Sequence, residues 1–313
     1  MPETIIQTTT EVEGYTVYTL RSEVLELQVV PGMGAKITSL RSLRSGREWL
    51  WRAFSPLRYF ANQAGDAFGD SPLVGVDECI PTVGECEWKG RRISDHGEVW
   101  FLPWELDGEA WSRGAILTRA QMGASPFLFE RSIRLESGTI QFDYRLTNQG
   151  SEAETFVWAI HPLFTIEPGD RIELPEEVNA MRVEGATGLA GLESGSWVKW
   201  PEPAPGIQLG DLDRFGDQCA CKLFSGVLSE GRAVITNSRR RERLVFLWNV
   251  EENPAVGVWI CKGTWNNYYQ MAVEPTNVPA ESLSEAEARG AEFPLVEPGQ
   301  SVRWQLRLCL ETF

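Results

Sequence analysis

Histidine is almost missing from this chain: only His96 and His161 occur among 313 residues. A metal site built on three histidine ligands is therefore excluded, and no HExxH or related zinc spacing is present. Glycine-rich phosphate loops are missing too. There is no GxGxxG at a strand-to-helix turn and no P-loop, which argues against nucleotide cofactors. The GxSxG elbow of Ser-His-Asp hydrolases is absent. No apolar run approaches the ~18 residues that span a bilayer. The opening stretch from Met1 to Thr10 has neither a basic nor an apolar leader segment. Positive charge is also scarce, with 29 Lys and Arg against 44 Asp and Glu and a net charge of −15. Such a field opposes phosphate backbones and anionic lipid surfaces. These absences predict a cytoplasmic protein, monomer or homodimer, that meets neither nucleic acid nor membrane and uses neither metal nor cofactor.

Six cysteines (Cys79, Cys86, Cys219, Cys221, Cys261 and Cys309) are scattered without a CxxC pair. They are expected as small buried hydrophobes in a reducing compartment. Cys219 and Cys221, two apart, would share one face of a strand.

What is present is a period of two. Ile140, Phe142, Tyr144 and Leu146 alternate with polar residues, as do Val302, Trp304, Leu306, Leu308 and Leu310. This is the pattern of antiparallel strands with one buried face. Similar runs predict strands near 15–20, 25–30, 35–40, 115–122, 127–136, 154–160, 231–238, 243–249 and 256–261. Turn residues such as Glu136-Ser-Gly138 and Asn148-Gln-Gly150 separate them. One helix is predicted, where Ser282-Leu-Ser-Glu285 fits a capping box and Gly290 is placed to end it. Many strands with almost no helix mean a sandwich or a barrel. No composition break marks a linker, and the Pro- and Gly-rich stretch 201–211 reads as a long loop. A single all-β domain over residues 1–313 is expected. The 13 Trp should mostly be core, although indole faces are also natural platforms for sugars.

Three residues stand out chemically. His96 lies in Ile93-Ser-Asp-His-Gly-Glu-Val-Trp100, a composition for a loop or strand entrance. His161 follows an apolar run and precedes Pro162, so it is expected to end a strand at a cleft. Glu274 closes another apolar run before Pro275, where burial beside Met271 and Val273 should raise its pKa toward general-base use. Taken singly, each also fits a purely structural role. Asp77 and Glu78 form a further acid-bearing segment, from which a glycosidase carboxylate pair could also come.

In combination, these segments resemble the galactose mutarotase-like superfamily, the aldose 1-epimerases. The resemblance runs from Gly34-Ala-Lys-Ile-Thr-Ser-Leu40 and Gly46-Arg-Glu-Trp-Leu-Trp51 through Asp77-Glu-Cys-Ile-Pro-Thr82 and Asp95-His-Gly-Glu98. It continues in His161-Pro-Leu-Phe164, Glu274-Pro-Thr276 and Leu295-Val-Glu-Pro-Gly-Gln300. It implies a large antiparallel β-sandwich, a supersandwich, with a sugar site in a cleft on one sheet. It also implies that Glu274 is the general base at the anomeric hydroxyl, His161 the imidazolium acid at the ring oxygen, and His96 a hydrogen-bonding partner near that oxygen. Asp77, Glu78, Arg58 and Asn62 would contribute to substrate binding, although Pro56–Gln63 departs from the family's Gly-Arg-x-Ala-Asn-Arg loop. Trp259 and Trp265, before Glu274, would complete the site and read a different hydroxyl pattern. Glu98, where the hexose-6-phosphate branch differs, would repel a phosphate. The expected activity is interconversion of the anomers of a free, non-phosphorylated sugar. The alternatives are a carbohydrate-binding protein using the same cleft and a glycoside hydrolase or lyase.

Overall fold

The computed structural model describes residues 4–71 and 74–313; residues 1–3, which open the N-terminal stretch read above, and residues 72–73 lie outside the described residues. Two large antiparallel sheets dominate. The twelve-stranded sheet runs from the edge strand Ile6–Val12 through Tyr15–Arg21, Leu25–Val30 and Lys36–Ser42 to a central group. That group is Val76–Cys79, Ala159–Pro162, Tyr269–Thr276, Ala255–Lys262 and Cys219–Ser225, followed by Ala180–Thr187 and Trp197–Lys199. The eight-stranded sheet contains the strands whose period-two patterns are plainest, among them Phe127–Glu136, Thr139–Asn148 and Ser301–Thr312. Along Phe127–Glu136 every second residue is buried, as the alternation requires.

Between the sheets lies a core of stacked rings. Trp304 packs within 5.1–6.0 Å of Phe129, Tyr144, Phe156 and Trp158. A buried ion pair ties the two sheets through this core: Arg131 of the eight-stranded sheet donates to Glu78 of the twelve-stranded one at 3.0 Å. The helix forms at Leu283–Ala288, with the Ser282 side chain accepting from the Glu285 amide. Glu285 Oε2 accepts from the Glu281 amide rather than from that of Ser282, so the reciprocal half of the capping box is displaced by one residue. A five-residue helix at Gly108–Ser112, capped by Asp107, was not expected. All six cysteines are free, and all but Cys309 are buried.

Two expectations are refined at one place. The run expected as a strand over 154–160 is split into Glu154–Thr155 and Ala159–Pro162, and the second piece ends at Pro162, one residue past His161. Pro162 pairs with Val76, and the chain rejoins the same sheet as Phe164–Thr165. The Glu274 strand runs on through Pro275 to Thr276. His161 and Glu274 therefore lie close to strand ends on neighbouring strands of the central group. These two strands pair at Ala159–Thr276 and again at Phe164–Met271 and Thr165–Gln270. Both prolines, lacking an N–H, fall in the interval between. Side chains bridge its edge instead: Thr276 Oγ1 donates to the Trp158 carbonyl at 2.7 Å, and Asn277 Oδ1 accepts from the Trp158 amide at 2.6 Å.

Candidate functional site

Register explains why the chemistry-bearing residues collect on one face. Opposed residues of antiparallel neighbours point the same way. His161 stands opposite Asp77, and Glu274 stands opposite Gly257, which stands opposite Phe224. Continuing the Ala159–Thr276 register brings Glu274 beside His161. Two residues further along the same face lie Lys222, Trp259 and Ala272 in one row, and beyond them Cys261 and Gln270. The opposite face of these strands, including Glu78, Ile160, Val258 and Val273, is packed into the sandwich core. Gly257 is needed where it is: a Cβ there would lie 2.9 Å from Phe224 and 3.1 Å from Glu274 Oε2. Its bareness leaves room for the Lys222 ammonium to reach the Glu274 carboxylate.

His96 arrives from a loop. It adopts φ of 59°, and the next residue, Gly97, has φ of 75° with the Ile80 carbonyl where a Cβ would sit. This turn is pinned by the His96 amide, which donates to the Val83 carbonyl at 2.5 Å, and by Trp100 Nε1, which donates to the Asp95 carbonyl at 2.9 Å. The imidazole stacks on Phe68 at 3.7 Å and stands perpendicular to the His161 ring at 5.0 Å. Its Nδ1 lies 2.9 Å from Asp95 Oδ1.

Together these elements enclose a cavity of about 310 Å³ lined by His96, His161, Lys222, Gln270, Glu281 and Trp259, with Trp265, Asp95 and Phe68 completing its wall. Glu274 is fully buried behind His161, with Oε1 3.7 Å from His161 Nε2. Glu274 Oε2 accepts from Lys222 Nζ, and Glu281 Oε1 lies 3.9 Å from the same ammonium. Burial opposes the Lys222 charge, but Glu274 and Glu281 outweigh it and raise the lysine above its ordinary value. Burial raises the Glu281 carboxyl, opposed by Lys222. Asp95 is lowered despite its burial, because the hydrogen bond and charge of His96 hold the carboxylate. His161 moves the other way from its expected role as imidazolium. Burial, then the charges of His96, Lys222 and Lys36, push it well below the usual histidine value, so the free cavity holds it neutral at neutral pH.

Several polar atoms at this place have no hydrogen-bond partner among the described residues: His161 Nδ1, Glu274 Oε1, Glu281 Oε1 and both amide atoms of Gln270. Buried polar atoms are normally paired. Gathered around one cavity, these atoms make a wall able to bind a polyhydroxylated ligand, with rings on the other side. Trp259, Trp265 and Tyr268 form a continuous aromatic wall, with neighbouring centroids 6.5 and 5.9 Å apart.

The sequence-predicted residues are distributed unevenly. His96, His161, Trp259 and Trp265 line the cavity, and Glu274 backs it. Asp77 faces the same way but is buried in an ion pair with Lys36. Glu78 points into the sandwich core, away from any ligand, as the alternation of a strand demands for the neighbour of Asp77. Arg58 is exposed and lies over Phe54 at 5.8 Å, and Asn62 is half-buried; neither lines the cavity. Glu98 does not face it either, since its carboxylate accepts from the amides of Gly123, Ala124 and Ser125 at 2.7–2.9 Å. The residues missed from sequence are Lys222, Gln270, Glu281 and Phe68. Lys222 carried a signal, as the one charge in Cys219-Ala-Cys-Lys-Leu-Phe-Ser225; Glu281, in an irregular segment, carried none. Among the described residues no group of three His, Cys, Asp or Glu could hold a metal, and no helix is long and apolar enough to cross a membrane.

No protein-family model and no curated protein matches the chain. Solved structures do. The chain is similar to an Escherichia coli K12 protein provisionally named an aldose 1-epimerase, at 16% identity and a TM-score of 0.70, covering 96% of this chain and 100% of that one. It is also similar to a galactose mutarotase-like protein from Clostridium acetobutylicum, at 13% identity and a TM-score of 0.65 over 99% of each chain. A galactose mutarotase related enzyme from Lactobacillus acidophilus matches at 14% identity and a TM-score of 0.64, over 95% of this chain and 97% of that one. The fold is thus the all-β, galactose mutarotase-like sandwich that the resemblance implied.

Proposed function

We propose that this protein is a cytoplasmic aldose 1-epimerase that interconverts the anomers of a free, non-phosphorylated sugar. The observation that carries the reading is the meeting of His96 and His161 at one cavity, with Glu274 directly behind His161, where several buried polar atoms have no hydrogen-bond partner among the described residues. In ring opening, Glu274 Oε1 takes the proton of the anomeric hydroxyl and the O1–H electron pair becomes the C1=O1 π bond. The C1–O5 bond breaks with its pair going to O5, which takes a proton from His161. Rotation about C1–C2 and reversal of both transfers give the other anomer. Because His161 is neutral in the free cavity, it must take up a proton before it can give one. Charge on His96 opposes a second charge on His161, and Asp95, on His96 Nδ1, is the group placed to offset it. None of these steps calls for a metal or cofactor, and holding the sugar in register supplies much of the acceleration.

A binding-only reading has one observation in its favour: Glu274 is fully buried and one of its oxygens is already taken by Lys222. Anomeric exchange measured by NMR on D-glucose, D-galactose, D-mannose and D-xylose separates the two. Accelerated exchange with any of these establishes the isomerase. Saturable binding without acceleration leaves a carbohydrate-binding protein, and neither binding nor acceleration sinks both.

A further inference from the structure

Gln270 is a residue that neither the sequence motifs nor the proposed acid–base set uses. It is fully buried, lines the cavity, and neither its amide oxygen nor its amide nitrogen has a hydrogen-bond partner among the described residues. A buried amide left unpaired on both sides is costly, and a folded chain gains nothing structural by keeping one. Leucine or methionine would fill a similar volume at no such cost.

Its place on the sheet says what it faces. Gln270 and Glu274 are on the same strand and the same face, four residues and so roughly 13 Å apart along the strand. Between them on that face is only the small side chain of Ala272, opposite Trp259. The cavity therefore has His161, with Glu274 behind it, toward one end, an apolar stretch of Leu163 and the Trp259 indole along its length, and a primary amide at the other end.

Resting on the epimerase reading, we infer that Gln270 is the specificity-determining residue for the end of the sugar remote from the anomeric carbon. Its carbonyl accepts from one ring hydroxyl and its NH2 donates to the oxygen of the neighbouring one. The substrate class is thus an aldopyranose carrying adjacent free hydroxyls at the far side of the ring, the C3–C4 side. An amide suits this task because it is donor and acceptor at once and stays uncharged at every pH of interest. A site built to pair hydroxyls rejects analogues that lack them, because its own buried groups are then left unsatisfied.

The test uses Gln270→Leu and Gln270→Met with the aldose of the panel that wild type exchanges fastest, and with its 3-deoxy and 4-deoxy analogues. Expected for both variants are a melting temperature equal to or above wild type, KM raised roughly tenfold or more, and kcat within about threefold. At least one deoxy analogue should bind wild type more weakly than the parent sugar while costing the variants nothing further, the non-additivity of two groups that touch. A lowered melting temperature in both variants would mean that the amide supports the fold, and would overturn the inference. So would an unchanged KM, or deoxy and Gln270 penalties that simply add. If wild type itself neither binds nor exchanges any sugar of the panel, the epimerase reading fails and this inference falls with it.

Discussion

Glu78 and Glu274 are both fully buried, and they differ in almost everything else. Glu78 sits in the sandwich core, where Oε1 accepts from Arg131 and from the Tyr144 hydroxyl at 3.0 Å each and Oε2 accepts from the Trp158 indole at 2.9 Å. Even so, burial raises its carboxyl, with Arg131 opposing. Glu274 is on the other side of the same sheet, with one oxygen held by Lys222 and the other unpaired near His161. A buried carboxylate with both oxygens paired, as in Glu78, holds elements together, even though Arg131 Nε beside it has no hydrogen-bond partner among the described residues; one with an oxygen left open near a cavity is poised for a ligand. Burial alone would rank the two equally.

The sharpest way to break this comparison is to neutralise each carboxylate in turn. Glu78→Gln leaves Arg131 as an uncompensated buried charge and should cost about 3–5 kcal/mol of stability, read by chemical denaturation. Glu274→Gln should cost well under half of that, because Lys222 borders the cavity, yet reduce anomeric exchange by about 10²–10⁴-fold. Equal losses of stability, with exchange retained in Glu274→Gln, would erase the distinction and the role assigned to Glu274.

His161 sharpens the contrast through pH. Its depressed native value means that as pH falls below the ordinary histidine value of ~6.5, the unfolded chain takes up a proton before the native one does. Stability contributed by the neutral ring is therefore present above that range and lost as pH falls from it toward the native pKa. His161→Gln should flatten this part of the stability–pH curve. Activity should run the other way: if His161 must be protonated to serve O5, kcat/KM rises as pH is lowered from neutral toward its depressed pKa. A flat profile across that window would move the proton-donor role to His96, whose ring is 5.0 Å away and has Asp95 as its partner.

The same contrast between faces explains what the sequence revealed. Strands with one wet face announced themselves by alternation, so most of the eight-stranded sheet was legible, down to the bounds of Phe127–Glu136. The strands that carry the site, Cys219–Ser225 and Tyr269–Thr276, are buried on both faces by core and cavity. They give near-continuous apolar runs with no period to read. His161 and Glu274 were visible because a titratable residue before proline is conspicuous in such a run. Pro162 does end its strand, one residue past His161, but the ladder resumes at Phe164 and the Glu274 strand runs one residue beyond Pro275, so neither residue sits at the margin of the sheet. Asp77 and Glu78 show a second limit. Adjacent in sequence, they point to opposite faces, and neither register nor face can be assigned from a short tag alone.

The smallest effect is expected at Arg58, which separates position in a motif from position in space. Its guanidinium is exposed, stacks over Phe54 at 5.8 Å and does not line the cavity. Exposed side chains without buried partners contribute within about 0.5 kcal/mol. Arg58→Ala should therefore leave stability and KM for the best aldose within about twofold of wild type. A tenfold rise in KM would mean that the loop carrying Arg58 closes over the sugar when it binds, and that the cavity of the free protein is only part of the site. Measured beside Glu274→Gln, it asks whether the chemistry is confined to the sheet face or shared with the loops above it.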